Sequence, residues 1–266
     1  MNFSFSKYQA AGNDFILIDD RSACFPVTDR LLIQKLCSRH FGIGADGLIL
    51  LQSSSSADFR MRIFNLDGLE AAMCGNGIRC LILYLKKNEI KQEDFLIETQ
   101  KSILSCAYKE GKISIGLPNS PVLHWGVKLL DDVIQHELFV VDTGVPHAVL
   151  FMQDLEKCEV ERLGKWIRFH PLFAPEGVNV NFIEVVSDAI HIRTYERGVE
   201  GETLSCGTGA AAAALVVLQK KALVEPVRVI SKSGEVLEFV LKETLRGKEI
   251  EMTGSASFVF EGSVEI

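Results

Sequence analysis

The sequence has no long run of lysine and arginine, and its formal net charge at pH 7 is −7. It therefore lacks the basic surface expected of a protein whose main partner is nucleic acid or an anionic membrane. Apolar residues make up 47% of the chain and charged residues 24%. The apolar fraction is too high for a disordered chain, and both fractions are ordinary for a globular enzyme. We expect a folded enzyme with neither kind of partner.

Membrane-directing segments are also missing. The opening residues MNFSFSKYQAAGNDF lack the basic start and apolar stretch of a signal peptide. The longest stretch of low polarity, Gly209 to Leu218, is about half of a bilayer span and predicts a buried, alanine-rich helix. The seven cysteines are an odd number, which favours reduced thiols and a cytoplasmic protein over a disulfide framework.

The sequence also lacks the spacing of a zinc site and the pattern of a P-loop. Cys74 and Cys80 lack the close ligand-pair spacing of a zinc site, and the six histidines do not cluster. No P-loop pattern GxxxxGK[ST] occurs. We therefore expect no metal site.

What the sequence does contain is a repeat of about half its length. The segments AAMCGNGIRCLILYL and LSCGTGAAAAALVVL place Cys74 and Cys206 132 positions apart, each directly before Gly-x-Gly. Further pairs recur in the same order at this offset or at one residue less: Gly12 with Gly144, Phe41 with Phe173, Phe64 with Tyr195, and Asn65 with Glu196. We infer a duplicated unit of about 130 residues, a period too long for a solenoid.

Strand and helix patterns repeat with it. Strands are predicted for FILID, LILL, FRMRIFN, FLIET, SILSCAY and KISIGL, and then for ELFVVD, HAVLFM, VNVNFIEV, AIHIRTYE, VRVIS, EVLEFVL and EIEMTG. Helices are predicted over residues 28–37 with Thr28 as N-cap, over 76–87, over 158–168, and in the alanine-rich segment.

A turn-rich segment, LPNSP at residues 117–121, marks the predicted domain boundary. Residues 1–118 would form an N-terminal lobe that carries Cys74, and residues 119–254 a C-terminal lobe that carries Cys206. The final strand, over about 255–266, would return to the first lobe.

Each Cys-Gly-x-Gly lies where an extended segment becomes a helix. Glycine lets the backbone approach a ligand closely, and the unpaired first amides of a helix can bind a carboxylate. The same positive helix end favours a thiolate. If the halves pack as pseudo-twofold mates, a substrate carbon between the two thiols has a sulfur on either face. One thiolate could remove a proton, and the opposite thiol could return one with inversion.

The segments GNDF, GIGADG, FNLDGLEAAMCGNGIRC, GVNVNF and YERGVEGETLSCGTGAA closely resemble the signature segments of the diaminopimelate epimerases, over nearly the whole chain. The resemblance implies an enzyme that interconverts LL- and meso-diaminopimelate without pyridoxal phosphate or metal, for lysine and peptidoglycan precursors. It implies an α/β (α+β) fold of two pseudo-symmetric domains, each a curved, mostly antiparallel sheet or barrel around a central helix. It also implies a homodimer.

The resemblance assigns roles to individual residues. Cys74 and Cys206 would be the acid and base, supported by His147 and Glu196. The residues that would bind substrate are Asn13, Asn65, Gly75, Asn76, Asn179, Glu196, Arg197, Gly207 and Thr208. Among these, Arg197 would hold the distal carboxylate in a bidentate geometry.

Structural interpretations of the same residues stay open. Asn65 or Asn179 could cap a turn, His147 could be a core histidine, and Arg197 with Glu196 could form a surface ion pair. The other cysteines lack matching partners and are assigned to packing or surface positions: Cys24, Cys37, Cys80, Cys106 and Cys158.

Other functions also stay open. A proline or hydroxyproline epimerase of the same fold would have two thiols but little use for Arg197, and the phenazine-type isomerases of this fold lack the cysteine pair. A redox protein could instead cycle Cys74 and Cys206 between dithiol and disulfide. An inactive module would bind the amino acid without exchanging its α-proton.

The chain departs from the family pattern at three positions. Gln9 precedes Ala10-Ala11 where the family usually has His-Gly-x, Gly47 stands where many members have glutamine, and Val145 replaces the asparagine before Pro-His. The lost amide removes a polar contact of about 1 kcal/mol.

We hypothesise that Gly47 and Val145 loosen recognition of the distal end of the substrate. The chain would then slowly racemise a shorter acidic amino acid such as glutamate. Deuterium exchange at the α-carbon of glutamate in deuterated water measures this activity. Exchange no faster than with a Cys74→Ala variant, at high enzyme concentration, would end the hypothesis.

Overall fold

The structure is a computed structural model that describes residues 2–118, 122–128, 137–244 and 247–265. The chain divides into two compact units. Unit 1 comprises Met1–Gly116 and Gly254–Ile266, and unit 2 comprises Leu117–Thr253. The turn-rich segment that marks the predicted boundary includes residues 119–121, which lie outside the described residues, so that boundary stays a prediction.

The elements follow one another in the same order in both halves of the chain. The first half contains β1 (Asn2–Ala10), β2 (Asn13–Asp19), α1 (Arg30–Cys37), β3 (Gly47–Gln52), β4 (Phe59–Asn65), β5 (Glu70–Ala71), α2 (Gly75–Lys87), β6 (Asp94–Glu98), β7 (Ile103–Lys109) and β8 (Lys112–Pro118). The second half contains β9 (Val122–Lys128), β10 (Glu137–Asp142), β11 (Pro146–Phe151), α3 (Val160–Arg168), a 3-10 turn (Pro171–Phe173), β12 (Asn179–Val186), β13 (Ala189–Glu196), β14 (Gly201–Thr203), α4 (Gly207–Gln219), β15 (Val227–Ile230), β16 (Val236–Thr244), β17 (Gly247–Gly254) and β18 (Ser257–Glu265).

Strand pairing confirms the duplication. In unit 1, β18, β1 and β2 pair antiparallel, β2 and β3 parallel, β3 and β4 antiparallel, β4 and β6 parallel, and β6, β7 and β8 antiparallel. In unit 2, β9 to β17 repeat this series step by step, with parallel pairs only at β11–β12 and β13–β15. The sheets are thus mostly antiparallel, as expected.

A central helix is enclosed by the strands of each unit. Helix α2 contacts β1, β2, β3, β4, β7 and β18, and helix α4 contacts β10, β11, β12, β13, β15 and β16. A helix can touch so many strands only where the sheet curves around it. Residues 209–217 of α4 are all buried, as expected for a helix that is apolar on every side. The alanine-rich segment is therefore a core helix.

A second helix covers the outer face of each sheet. Ile33 of α1 packs with Leu48 and Leu50 of β3, whereas Ile49 of β3 lies against Gly77 of α2. Strand β3 is thus buried on both faces, which explains its continuous apolar run. Helix α3 contacts β12, β13 and β14 in the corresponding place in unit 2.

Three helix starts differ from the prediction, and the smallest difference is at α2, which begins at Gly75 rather than Asn76. Helix α1 begins at Arg30, and its N-cap is Asp29 rather than Thr28, because the Asp29 carboxylate accepts a hydrogen bond from the Leu32 amide at 3.0 Å. Helix α3 begins at Val160, two residues after the predicted start. Among the described residues, no helix is both long enough and apolar enough to span a bilayer.

Candidate functional site

Cys74 is the N-cap of helix α2 and lies three residues after the end of the short strand β5. Its backbone is extended, with φ −149° and ψ 114°, and its sulfur accepts a hydrogen bond from the Gly77 amide at 3.4 Å. The thiol therefore lies among the unpaired amides at the positive end of the helix. A Cβ atom at Gly77 would approach the Cδ1 atoms of Ile63 and Ile49 to 3.0 and 3.2 Å, so glycine allows the helix start to lie directly on the sheet.

Two asparagines lie beside this thiol. The Cys74 sulfur is 3.9 Å from Asn13 Oδ1, and Asn76 Nδ2 donates to the same oxygen at 3.4 Å. Asn76 Oδ1 accepts from Arg79 Nη2 at 2.5 Å, and Arg79 Nη1 donates to the Ser255 carbonyl at 2.9 Å. Arg79 is fully buried. It therefore fixes Asn76 and also ties the C-terminal segment of the chain to α2.

A charged network orients Asn13 from the other side. Asn13 Nδ2 donates to Asp46 Oδ2 at 2.8 Å, so Oδ1 faces the thiol. Arg39 binds both Asp14, at 2.7 Å, and Asp46, at 2.8 Å, and Lys7 lies 2.9 Å from Asp14. Burial raises the pKa of Asp14, but hydrogen bonds from Arg39 and Lys7 outweigh it and hold that pKa well below its ordinary value.

The turn before Asn13 accommodates Gln9, one of the three departures from the family pattern. Ala11 and Gly12 both have positive φ, 58° and 79°, and Ala10 pairs with Asn13 across the turn. This geometry is that of a two-residue hairpin with a primed turn. Gln9 Oε1 accepts from the Gly12 amide at 3.1 Å, so Gln9 supports the turn.

Asn65 ends strand β4, directly opposite Gly47 of β3. Its backbone forms the turn to β5, because its amide donates to the Leu69 carbonyl at 2.9 Å and its carbonyl accepts from the Gly68 amide at 2.9 Å. The Asn65 side chain is exposed and therefore remains available to a ligand. A Cβ atom at Gly47 would lie 2.7 Å from the Phe64 carbonyl, which explains the absence of a glutamine at this position in the chain.

The glycines of GIGADG, residues 42–47, have the spacing of a dinucleotide motif but not its setting. They follow helix α1 and lead into β3, whereas the dinucleotide motif leads from a strand into a helix.

Cys206 is the N-cap of α4 and follows the short strand β14, in the same way that Cys74 follows β5. Its sulfur lies 3.5 Å from the Thr208 hydroxyl. The Thr143 hydroxyl donates to the Thr208 carbonyl at 3.3 Å, so the β10–β11 turn is held against the start of α4. Both predictions that a Cys-Gly-x-Gly begins a helix are therefore confirmed.

Asn179 and Arg197 meet at the ends of β12 and β13. The Arg197 amide donates to Asn179 Oδ1 at 2.8 Å, so the buried Asn179 side chain does bind a turn. The Arg197 guanidinium donates to the Glu176 carbonyl at 3.5 Å. It forms no ion pair with Glu196 or with any other described residue, which leaves its charge available to an anion.

Glu196, the last residue of β13, is half-buried. Burial raises the pKa of the Glu196 carboxyl, and the Thr203 hydroxyl offsets part of that rise. A carboxyl group with a raised pKa can exchange protons nearer neutrality than an ordinary glutamate.

His147 is fully buried on β11, next to the turn that contains Val145. Its Nδ1 atom lies 3.1 Å from Asn181 Nδ2. Burial, with a smaller contribution from the positive charge of Arg197, lowers the pKa of His147 to about 3. The ring is therefore neutral near pH 7.

All seven cysteines are free thiols. Burial raises the pKa of Cys37 to about 12, that of Cys158 to about 11, and that of Cys106 further above its ordinary value. These thiols are inert at neutral pH. In the described part of the chain, no three His, Cys, Asp or Glu side chains are grouped to hold a metal ion.

The structure thus gathers Cys74, Gly75, Asn76 and Asn13 in unit 1, and Cys206, Gly207 and Thr208 in unit 2. Sequence analysis missed several polar residues beside them: the half-buried Asp46 and the buried Arg79, Asn181 and Thr194. Asp46 and Arg79 lie within segments already singled out, GIGADG and CGNGIRC, but nothing in the sequence indicates which atoms they contact.

The chain matches a known protein family over most of its length. The family model for diaminopimelate epimerase matches residues 5–116 and 139–259. The diaminopimelate epimerase of Aquifex aeolicus is 41% identical over 97% of this chain and 96% of its own length, and that of Archaeoglobus fulgidus is 39% identical over 100% and 98%.

Solved structures show the same fold at low identity. A hydroxyproline epimerase from Agrobacterium vitis has a TM-score of 0.72 and 15% identity, and covers 99% of this chain and 91% of its own. A PhzF-family phenazine biosynthesis protein from Bacillus anthracis has a TM-score of 0.74 and 18% identity over 100% of both chains. The family match, the full-length relatives and the duplicated fold together show that this chain belongs to the diaminopimelate epimerase family.

Proposed function

We propose that this protein interconverts LL- and meso-2,6-diaminopimelate by proton transfer at the α-carbon, with Cys74 and Cys206 as the two acid/base groups. The observation that carries the proposal is that both cysteines N-cap a central helix in a chain that matches this family over nearly its whole length. A cysteine at a helix N-terminus is suited to exchange a proton near neutral pH.

The proposed reaction needs two groups because the stereocentre inverts. One cysteine, as thiolate, removes the α-proton, and the other, as thiol, delivers a proton to the opposite face of the carbon. In the reverse direction the two exchange roles. Amides at Gly75 and Gly207, with Asn76 and Thr208, would bind the α-carboxylate and amine and stabilise the charge that develops on deprotonation.

Other polar residues would hold the substrate or assist the thiols. Asn13 is already oriented by Asp46, and Asn65 has an exposed side chain, so each can contact substrate. Asn179 would contact it from β12. Glu196 would exchange a proton with a thiol, which its raised pKa favours, and the neutral His147 would support the other cysteine.

Replacement of either proposed acid/base cysteine should abolish turnover. We expect Cys74→Ala and Cys206→Ala to lose epimerisation of both isomers, because inversion requires an acid and a base on opposite faces. Cys74→Ser should retain at most a small residue of activity, since a hydroxyl is a much weaker acid. Proton NMR of LL-diaminopimelate in deuterated water, which follows the loss of the α-proton signal, measures the reaction directly.

The exposed thiol Cys24 provides the matched control, and Cys24→Ser should retain full activity. Full epimerisation by Cys206→Ala would contradict the two-base reaction. Electron transfer to a disulfide substrate without α-deuteration would indicate the redox alternative, and deuteration of proline instead would indicate a cyclic amino-acid racemase.

Arg197 would bind the distal carboxylate through two parallel hydrogen bonds. Arg197→Lys keeps the positive charge but loses the planar guanidinium that can form two parallel hydrogen bonds. We therefore expect KM for diaminopimelate to rise about 10- to 100-fold, as for the loss of one charged hydrogen bond, with a smaller change in kcat. Steady-state kinetics measure both constants. Arg162→Lys is the matched control, because Arg162 pairs with Glu159 on the exposed face of α3 at 2.6 Å; an equal rise in KM there would refute this role.

A homodimer in the cytoplasm completes the proposal. It is supported by the family resemblance and by strand β18, which pairs with β1 and exposes the apolar residues Val259 and Phe260. Light scattering on the purified protein should give about twice the chain mass of 29.5 kDa. A mass of one chain at micromolar concentration would contradict the dimer.

A further inference from the structure

His147 is held by a buried polar pair that the proposed reaction does not use. Asn181 of β12 is completely buried and Thr194 of β13 nearly so. Asn181 Nδ2 lies 3.1 Å from His147 Nδ1 and 3.1 Å from the Ala148 carbonyl, and the Thr194 hydroxyl donates to Asn181 Oδ1 at 3.0 Å. These contacts use both ends of the Asn181 amide.

The Ala148 carbonyl fixes which way this amide points. A carbonyl oxygen can only accept a hydrogen bond, so the Asn181 atom beside it must be the NH₂ group. The second hydrogen of that group then points to His147 Nδ1, which must accept. In a neutral imidazole the proton therefore lies on the other nitrogen, Nε2.

Helix α4 closes the pocket around the amide. A Cβ atom at Gly209 would collide with Asn181 Oδ1 and would lie 3.4 Å from the Cys206 sulfur. Glycine at this position therefore lets the first turn of α4 pack directly on Asn181. The amide is confined by three elements and cannot reorient without moving one of them.

The duplicated half shows that the fold itself does not require these polar groups. Strand registers align His147, Asn181 and Thr194 with Phe15, Ile49 and Ile63 of unit 1, because Asn181 pairs with Thr194 as Ile49 pairs with Ile63. Gly209 contacts Asn181 as Gly77 contacts Ile49. The same place in unit 1 is thus filled by apolar side chains. A buried polar set is more costly to fold than its apolar counterpart, which indicates a functional reason for it.

The remaining nitrogen of the ring is unpaired. His147 Nε2 is buried and has no hydrogen-bond partner among the described residues. Buried donors without partners are rare in native proteins, and one that is held in a fixed direction is prepared for an acceptor that arrives later. Acceptors of the proposed reaction are anionic: a thiolate or a substrate carboxylate.

We propose that Asn181, backed by Thr194, is a positioning residue that fixes His147 as the Nε2–H tautomer, so that His147 donates a hydrogen bond to an anionic acceptor and does not act as a base. The identity of that acceptor rests on the proposed function. The tautomer does not, because every contact that sets it lies within unit 2. In this tautomer the free nitrogen position carries a proton, and His147 cannot remove one from a thiol.

Nitrogen-15 NMR of histidine-labelled protein without substrate tests the tautomer. We expect one imidazole of the six histidines to show an acceptor-type Nδ1 and an N–H-type Nε2, unchanged between pH 5 and pH 8. His147→Asn identifies that signal by its loss. An N–H-type Nδ1, or titration within this pH range, would overturn the proposal on the wild-type protein alone.

Variants at Asn181 test whether Asn181 sets the His147 tautomer. Asn181→Asp replaces the donor with an acceptor, so the His147 proton should move to Nδ1 and kcat should fall by about a hundredfold, as for the loss of an oriented donor. Asn181→Leu imitates Ile49 and should leave a mixture of tautomers. The matched control is Asn88→Asp, at an exposed asparagine whose amide donates to the Tyr84 carbonyl. This control should change neither the His147 tautomer nor kcat. Unchanged His147 shifts in both Asn181 variants would refute the role.

The α-proton exchange assay separates this inference from the proposed function. An Nε2–H tautomer in a protein that does not deuterate diaminopimelate supports the positioning role and refutes the reaction. Rapid deuteration by a protein with an Nδ1–H tautomer supports the reaction and refutes the positioning role.

Discussion

Two buried helices that each begin at a cysteine are the constraint on which the rest of the molecule depends. Because curved strands enclose α2 and α4, core packing holds each helix start in place. The first-turn amides have no partner within the helix and are directed toward the residue that precedes it. Cys74 presents a sulfur that accepts from the Gly77 amide. The glycines at the third helical position, Gly77 and Gly209, bring each helix start into contact with strand side chains. The position of each thiol is thus set by core packing rather than by a loop, which suits a group that must exchange a proton in one fixed direction.

Much of this fold could be predicted from apolar runs and from the repeat, because strands buried on both faces, such as β3, leave an unmistakable pattern. Strand β1 was not predicted, because it depends on distant partners. Strand β1 carries a buried Lys7 whose ion partner, Asp14, lies in the next strand, and it pairs with β18 from the other end of the chain. The strands β5 and β14 are two and three residues long, too short for any period to appear. At α1, Thr28 and Asp29 are both good caps, and only the geometry selects Asp29.

The candidate site likewise contains residues that the sequence could predict and residues that it could not. Motif resemblance located the cysteines, their glycines and the residues expected to contact substrate. It could not reveal the groups that hold them, because those contacts depend on strand register and on helix packing. The hydrogen bond from Asn13 to Asp46 joins residues 33 positions apart, and that from Arg79 to Ser255 joins residues 176 positions apart. The Asn181–Thr194 pair arises from the register of β12 and β13. Such contacts carry no local signal, yet they determine which atom of each polar side chain faces a ligand.

The two duplicated units carry their polar side chains in different places, and the proposed reaction explains this difference. In unit 1 more of the polar groups lie around the helix start, where Asn13 and Arg79 correspond by sequence offset to the apolar residues Val145 and Ala211 of unit 2. In unit 2 they lie on the strands beneath the helix, where His147, Asn181 and Thr194 replace Phe15, Ile49 and Ile63. A reaction that only exchanged enantiomers would be served by two equivalent surroundings. LL- and meso-diaminopimelate share an unchanged second stereocentre and are therefore not mirror images of each other, so the proton transfers in the two directions of the proposed reaction are not equivalent. Different polar side chains around two similar helix starts suit two proton transfers that are not equivalent.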